Sequence, residues 1–131
     1  MPTIPPISLV PQTLDLSLYG GDGVELRMTV TNTDGQPVPL TPGAVDAQIR
    51  STRTTGPTPI ATFATDLTDG DTGIVILSLT GDQTEALHGD LAALSERFTG
   101  VWDVQWTPQD GQPITLIQGK VDSALDVTRL P

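Results

Sequence analysis

The sequence predicts an all-β fold, an antiparallel β-sandwich of about seven to eight strands with one short helix before a tryptophan-containing strand. Three observations carry that expectation. Apolar and polar residues alternate at period two along several short runs, the signature of a strand with one buried face. Turn residues separate those runs at regular spacing, with 13 glycines and 12 prolines in 131 residues. No helical runs alternate with the strands, which removes a parallel α/β architecture.

The elements follow in order. Residues 1–12 form a proline-rich extended arm, and residues 13–131 form the sandwich domain. Pro2, Pro5, Pro6 and Pro11 fix φ and remove donors from the arm, so it reads as an extended, polyproline-like segment. It carries four branched aliphatics, Ile4, Ile7, Leu9 and Val10. A frayed terminus would not need them, whereas an arm that packs on a neighbouring subunit would.

Leu14, Leu16 and Leu18 then face one way, with Asp15, Ser17 and Tyr19 facing the other. After Gly20–Gly23, Val24, Leu26, Met28 and Val30 alternate with Glu25, Arg27, Thr29 and Thr31. Val45, Ala47 and Ile49 share a face of a third strand, and Ile60–Thr65 with Phe63 reads as a short fourth. The run Ile74–Leu79 is apolar on both faces and belongs in the middle of a sheet. Thr80 or Asp82 can cap a short helix through which Ala86 and Leu87, with Leu91 and Leu94 after them, touch the core. Trp102, Val104 and Trp106 alternate with Val101, Asp103 and Gln105, and segments from Ile114 and from Val121 close the domain. The tetrapeptide Asp-Gly-Gln-Pro occurs twice, at Asp34–Pro37 and Asp110–Pro113. In both copies the glycine is expected at positive φ and the proline at the start of an edge segment.

Composition narrows the function. Sixteen acidic residues against six basic ones give a net charge of −10. Nucleic-acid binding needs clustered Lys and Arg, and here the basic residues are scattered, so nucleic acid and anionic membrane are not expected partners. The chain has no cysteine, hence neither disulfide nor thiolate chemistry. The proline-interrupted start does not read as a signal peptide, and no apolar run is long enough to span a membrane as a helix.

Candidate chemical groups are few. His88 is the sole histidine, and its polar surroundings place it on the solvated surface. No G-x-S-x-G elbow accompanies it, and one histidine without cysteine is a poor start for zinc. Asp66, Asp69 and Asp71 are the best metal candidates, because calcium takes six to eight oxygens, but ordinary turn chemistry explains the same residues. Asp82 and Glu85 are not placed across a cleft as a glycosidase needs. Trp102 and Trp106 share a face with Val104, which favours core packing over a carbohydrate platform. No cofactor is expected, and the chain does not read as an enzyme.

Several motifs then occur in a telling order. LDLSLYGGDGVELRMTV (Leu14–Val30) leads to DGQPVPLT (Asp34–Thr41), VDAQIRS (Val45–Ser51), TGIVILSL (Thr72–Leu79) and TGDQTEAL (Thr80–Leu87). The end reads G-x-W-D-V from Gly100, D-G-x-P-x-x-L-x-x-G-x-V from Asp110, and V-T-R at Val127–Arg129. This series, spanning most of residues 13–129, resembles a β-sandwich family of tailed-bacteriophage virion proteins. That family includes tail-fibre-associated and baseplate-upper-protein-like domains and small head-associated proteins. The family's Gly-Asp-Thr turn is replaced here by Gly21-Asp22-Gly23, which alters the first expected hairpin.

The resemblance implies an immunoglobulin-like sandwich and a structural role in a virion assembled in the host cytoplasm. Partners would be the major capsid protein or tail and baseplate proteins, with this chain in multiple copies or as a homo-oligomer. It implies no catalytic residues. The residues expected to touch a partner are Ile4, Ile7, Leu9 and Val10. The competing expectation is a module that binds a host-surface glycan or protein through the sandwich loops.

Overall fold

A computed structural model describes residues 12–51, 59–89 and 96–125. Nine strands and one α-helix appear among them: β1 (Gln12–Thr13), β2 (Leu16–Gly20), β3 (Val24–Thr29), β4 (Gly43–Arg50), β5 (Ala61–Thr62), β6 (Ala64–Asp66), β7 (Ile74–Leu79), α1 (Gly81–Ala86), β8 (Arg97–Pro108) and β9 (Ile114–Leu125). They form two sheets. The larger runs β1-β9-β8-β4-β5, with β2 continuing β1 along β9, and the smaller runs β3-β7-β6. The chain is a β-sandwich, and the strand order is that of an immunoglobulin-like domain. There β9-β8-β4-β5 take the G-F-C-C′ places and β3-β7-β6 the B-E-D places.

The predicted alternation sets the core. Leu16, Leu18, Leu26, Met28, Val45, Ala47, Ile49, Trp102, Val104 and Trp106 are all buried. Their strand neighbours Ser17, Tyr19, Glu25, Arg27 and Asp46 are exposed. Each fully buried Leu or Ile side chain contributes about 1.5–3 kcal/mol relative to leaving it in water. β7 takes the centre of the smaller sheet, as its doubly apolar sequence requires. Leu116 and Ile117 are adjacent yet both fully buried. A register shift opposite Val104 and Gln105 leaves Leu116 as the extra residue, and this β-bulge turns two successive side chains inward.

Four expectations require correction. First, the larger sheet is not wholly antiparallel, because β1 and β2 pair with β9 in parallel. These strands come from opposite parts of the chain, so no hairpin fixes their relative direction. Second, Gly20–Gly23 makes no hairpin: β2 lies in one sheet and β3 in the other. Third, Ile60–Thr65 is not one strand. Phe63 donates its backbone N–H to Ala47 O at 2.9 Å, and the chain passes there from β4's edge to β7's edge. Its ring lies 5.8 Å from that of Trp102, so the crossing point is itself packed into the core. Fourth, only one of the two Asp-Gly turns uses a left-handed glycine. Gly35 has φ +78°, whereas Gly111 is absent from the positive-φ positions. The second turn instead closes with Gly111 N–H donating to Pro108 O at 3.2 Å.

Candidate functional site

Leu91 and Leu94, and the arm residues Ile4, Ile7, Leu9 and Val10, lie outside the described residues. The arm's point of attachment is described, and it is firmly fastened. Gln12 and Thr13 pair with Ile117 and Gln118 as β1. Leu14 N–H then donates to Gln118 O at 3.0 Å, while Leu14 O accepts the Trp102 indole N–H at 2.8 Å. The Asp15 carboxylate accepts Lys120 N–H at 2.8 Å. Residues 12–15 are therefore held on β9 and β8 by backbone, indole and carboxylate together, which gives the arm a fixed origin.

The sandwich also presents an open strand edge and a polar face. The first is β3, the end strand of the smaller sheet, six residues long and paired on one side only among the described residues. A depression of about 440 Å³ opens beside its start, lined by Val24, Glu25, Ala64, Ser78, Leu79 and Gln83. The second is the outer face of the larger sheet. Asp46, Gln48 and Arg50 of β4 stand beside Asp103 and Gln105 of β8 around a polar hollow of about 200 Å³. Arg50 Nη2 donates to Gln48 Oε1 at 2.9 Å. Partial burial pushes the Asp103 carboxyl up, and the nearby Arg50 charge opposes the shift. A carboxyl raised in the folded state stabilises the fold below its unfolded pKa, and that contribution is lost as pH rises through the folded value.

The acidic turn is organised around its own backbone. The Asp66 carboxylate accepts the Thr68 hydroxyl at 2.6 Å and the Thr68 N–H at 2.9 Å. These bonds, the hydroxyl first, hold its pKa below the ordinary value. Asp69 acts through its carbonyl, which accepts the Thr72 hydroxyl at 2.8 Å, and a 3₁₀ turn covers Gly70–Thr72. Asp66, Asp69 and Asp71 are not brought together. Among the described residues no three His, Asp or Glu side chains gather as metal ligands would.

His88 is where the sequence reading fails most clearly. It is buried, at 3% exposure, and its Nε2 lies 2.8 Å from the hydroxyl of fully buried Ser123. The cause is Gly20: a Cβ there would stand 2.7 Å from His88 Cδ2, so the missing side chain makes the space for the imidazole. The separation is one a base and nucleophile would show, but both groups are enclosed. A signal existed in the sequence. Ser123 falls in the inward phase of β9 with Val121, and a polar side chain on an inward face needs a partner.

Trp102 and Trp106 are both buried, at 2% and 8% exposure. Trp106 Nε1 donates to Leu40 O at 3.0 Å. They are core residues with satisfied indoles and cannot serve as stacking platforms.

No family model matches the chain, and no curated protein matches it. Among solved structures it is similar to the cysteine protease inhibitor EhICP2 from Entamoeba histolytica. Identity is 11% and the TM-score 0.41, over 95% of this chain and 96% of that one. It is also similar to the bradyzoite-specific antigen BSR4 from Toxoplasma gondii, at 10% identity and a TM-score of 0.38, over 88% of this chain and 44% of that one.

Proposed function

We propose that this protein is a non-enzymatic structural component of a tailed-bacteriophage particle. It acts by protein–protein contact, either as a capsid decoration or head-associated protein or as a tail, baseplate or fibre-attachment element. The observation that carries the reading is the order of sequence motifs from Leu14 to Arg129, of which those up to Val121 fall on the strands, helix and turns of one sandwich. The fastened origin of the arm supports it, because an apolar segment on a rigid base can engage a neighbour without disturbing the domain. Copies arranged by symmetry then convert weak single contacts into strong avidity. The acidic balance suits a self-repelling particle, or a surface that meets a basic partner.

The reading of the chain as a host-glycan binder loses its best platform with the burial of both tryptophans. Mass spectrometry of purified particles tests the proposal, with the chain expected at a fixed copy number per virion. Its absence from particles would end the virion reading. Deleting residues 1–11 is expected to lower incorporation, and full occupancy by the truncated protein would remove the arm's role.

A further inference from the structure

We infer that the Ile7–Val10 segment of one copy adds as a strand to the open edge of β3 in a second copy. The inference rests on the multi-copy reading above and names the surface that receives the arm.

Four observations converge on it. The first is the edge. β3 runs for six residues with no proline and no bulge, two devices by which proteins blunt an edge, and pairs only with β7 among the described residues. The second is that the other edges are shorter or partly covered: β4 is open only over Gly43–Asp46, before Phe63 and β5, and β9 only over Ile114–Leu116, before β1. β1, β5 and β6 are two, two and three residues long. β2 is tied at its turn, where Gly21 N–H donates to Thr84 Oγ1 at 3.0 Å, and α1 packs against it.

The third is the composition of the arm. Ile7-Ser8-Leu9-Val10 is its longest proline-free run, bounded by Pro6 and Pro11. Proline cannot donate to a ladder, so the flanking prolines limit the added strand to those four residues. Their period-two pattern puts Ile7 and Leu9 on one face, in phase to meet the line of Leu26 and Met28.

The fourth is reach, and it selects a second copy over the same one. β2 enters the Gly20–Gly23 turn in the larger sheet and β3 leaves it in the smaller, and the strands of two packed sheets stay within about 30° of a common axis. Gln12 is eight residues before Gly20, and Asn32 is eight residues after Val24. At equal rise per residue Gln12 stands level with Asn32, already past the end of β3 at Thr29. To lie beside its own β3 the arm would have to reverse direction directly at Pro11. The β3 of another copy imposes no such reversal.

Cysteine pairs test this directly, because the chain contains none of its own. Ser8→Cys protein is mixed with Arg27→Cys protein under mild oxidation, with Ser17→Cys on β2 as the competing acceptor. Cross-strand neighbours come within the separation a disulfide bridges. A covalent dimer from the Ser8→Cys and Arg27→Cys mixture, in clear excess over the Ser17→Cys mixture, is the expected result. No dimer, or a dimer favouring Ser17→Cys, would overturn the inference. Ser8→Pro removes a donor from the proposed strand and is expected to weaken self-association in sedimentation by about tenfold, the equivalent of one to two net hydrogen bonds, with the unfolding curve checked against the parent. Unchanged association would also overturn it. Particle composition is a separate readout. A chain absent from virions that still cross-links leaves the strand addition standing, and a chain present in virions that fails to cross-link leaves only the virion reading.

Discussion

At the end of the sandwich where β2 turns into β3, polar side chains are buried. Thr84 is fully enclosed. Its hydroxyl accepts Gly21 N–H and lies 2.9 Å from Asp22 O and 3.0 Å from Gly81 O, which share its one proton. His88 and Ser123 meet beside it. At the opposite end the two Asp-Gly-Gln-Pro turns lie in solvent and are held by local bonds. Asn32 Oδ1 accepts the N–H of Asp34 at 2.9 Å and of Gln36 at 3.0 Å, and Gly35 N–H donates to Asn32 O at 3.0 Å. The difference teaches that a turn linking two sheets depends on distant residues, whereas a turn at a strand end is largely self-contained. Residue 84 lies 63 positions from residue 21, and residue 32 lies two from residue 34.

If that contrast holds, substitutions should rank by end. Thr84→Val keeps the shape and removes a fully buried hydroxyl, leaving Gly21 N–H and Asp22 O without the partner that ties the turn to α1. We expect a loss of about 2–3 kcal/mol in urea unfolding at unchanged m-value, and a loss below that at Asn32 would break the comparison. Ser123→Ala removes the hydroxyl that meets His88 Nε2, and about 1–2 kcal/mol should follow. Asn32→Ala takes an acceptor from two N–H groups that water can reach, so about 1 kcal/mol is expected from the same measurement.

Gly35→Ala sharpens the comparison within the solvated end. A Cβ there meets nothing within 4 Å, so the cost is backbone strain alone, about 1–2 kcal/mol at φ +78°. Gly111→Ala is the smallest effect. Its Cβ would lie 3.2 Å from the Pro108 ring without left-handed strain, and unfolding curves should coincide with the parent to within about 0.5 kcal/mol. Equal costs at positions 35 and 111 would mean that the shared tetrapeptide sets the turn, and that its context does not.

The same division decides what could be read from sequence. Val24–Val30 and Trp102–Trp106 were legible because period two is a local signal; the helix start was legible only as Thr80 or Asp82, and the structure uses Thr80 through a capping box. It is closed by Gln83, which returns a side-chain bond to Thr80 N–H at 2.9 Å. The burial of His88 was signalled only indirectly, by a polar Ser123 on an inward face that does not say which residue meets it. It depends on a missing side chain at Gly20 and a hydroxyl at Ser123, far away in the chain. Phe63 escaped notice as a crossing point because its flanks keep strand character on both sides while the partner changes from β4 to β7. The parallel course of β2 is likewise a property of the whole topology, which no short window contains. Of the proposed contact, the apolar run of Ile4, Ile7, Leu9 and Val10 is a feature of the sequence and lies outside the described residues. The open edge of β3 was not legible, since an edge is defined by the absence of a neighbour.

The two indoles have an optical consequence. Each tryptophan is sequestered from water and anchored to a different backbone carbonyl, Trp102 to Leu14 and Trp106 to Leu40. The chain has no other tryptophan. A Trp106→Phe protein would therefore emit from the base of the arm, and a Trp102→Phe protein from the loop before β4. Red-shifting of one colour before the other during denaturation would report which lets go first, without any added label.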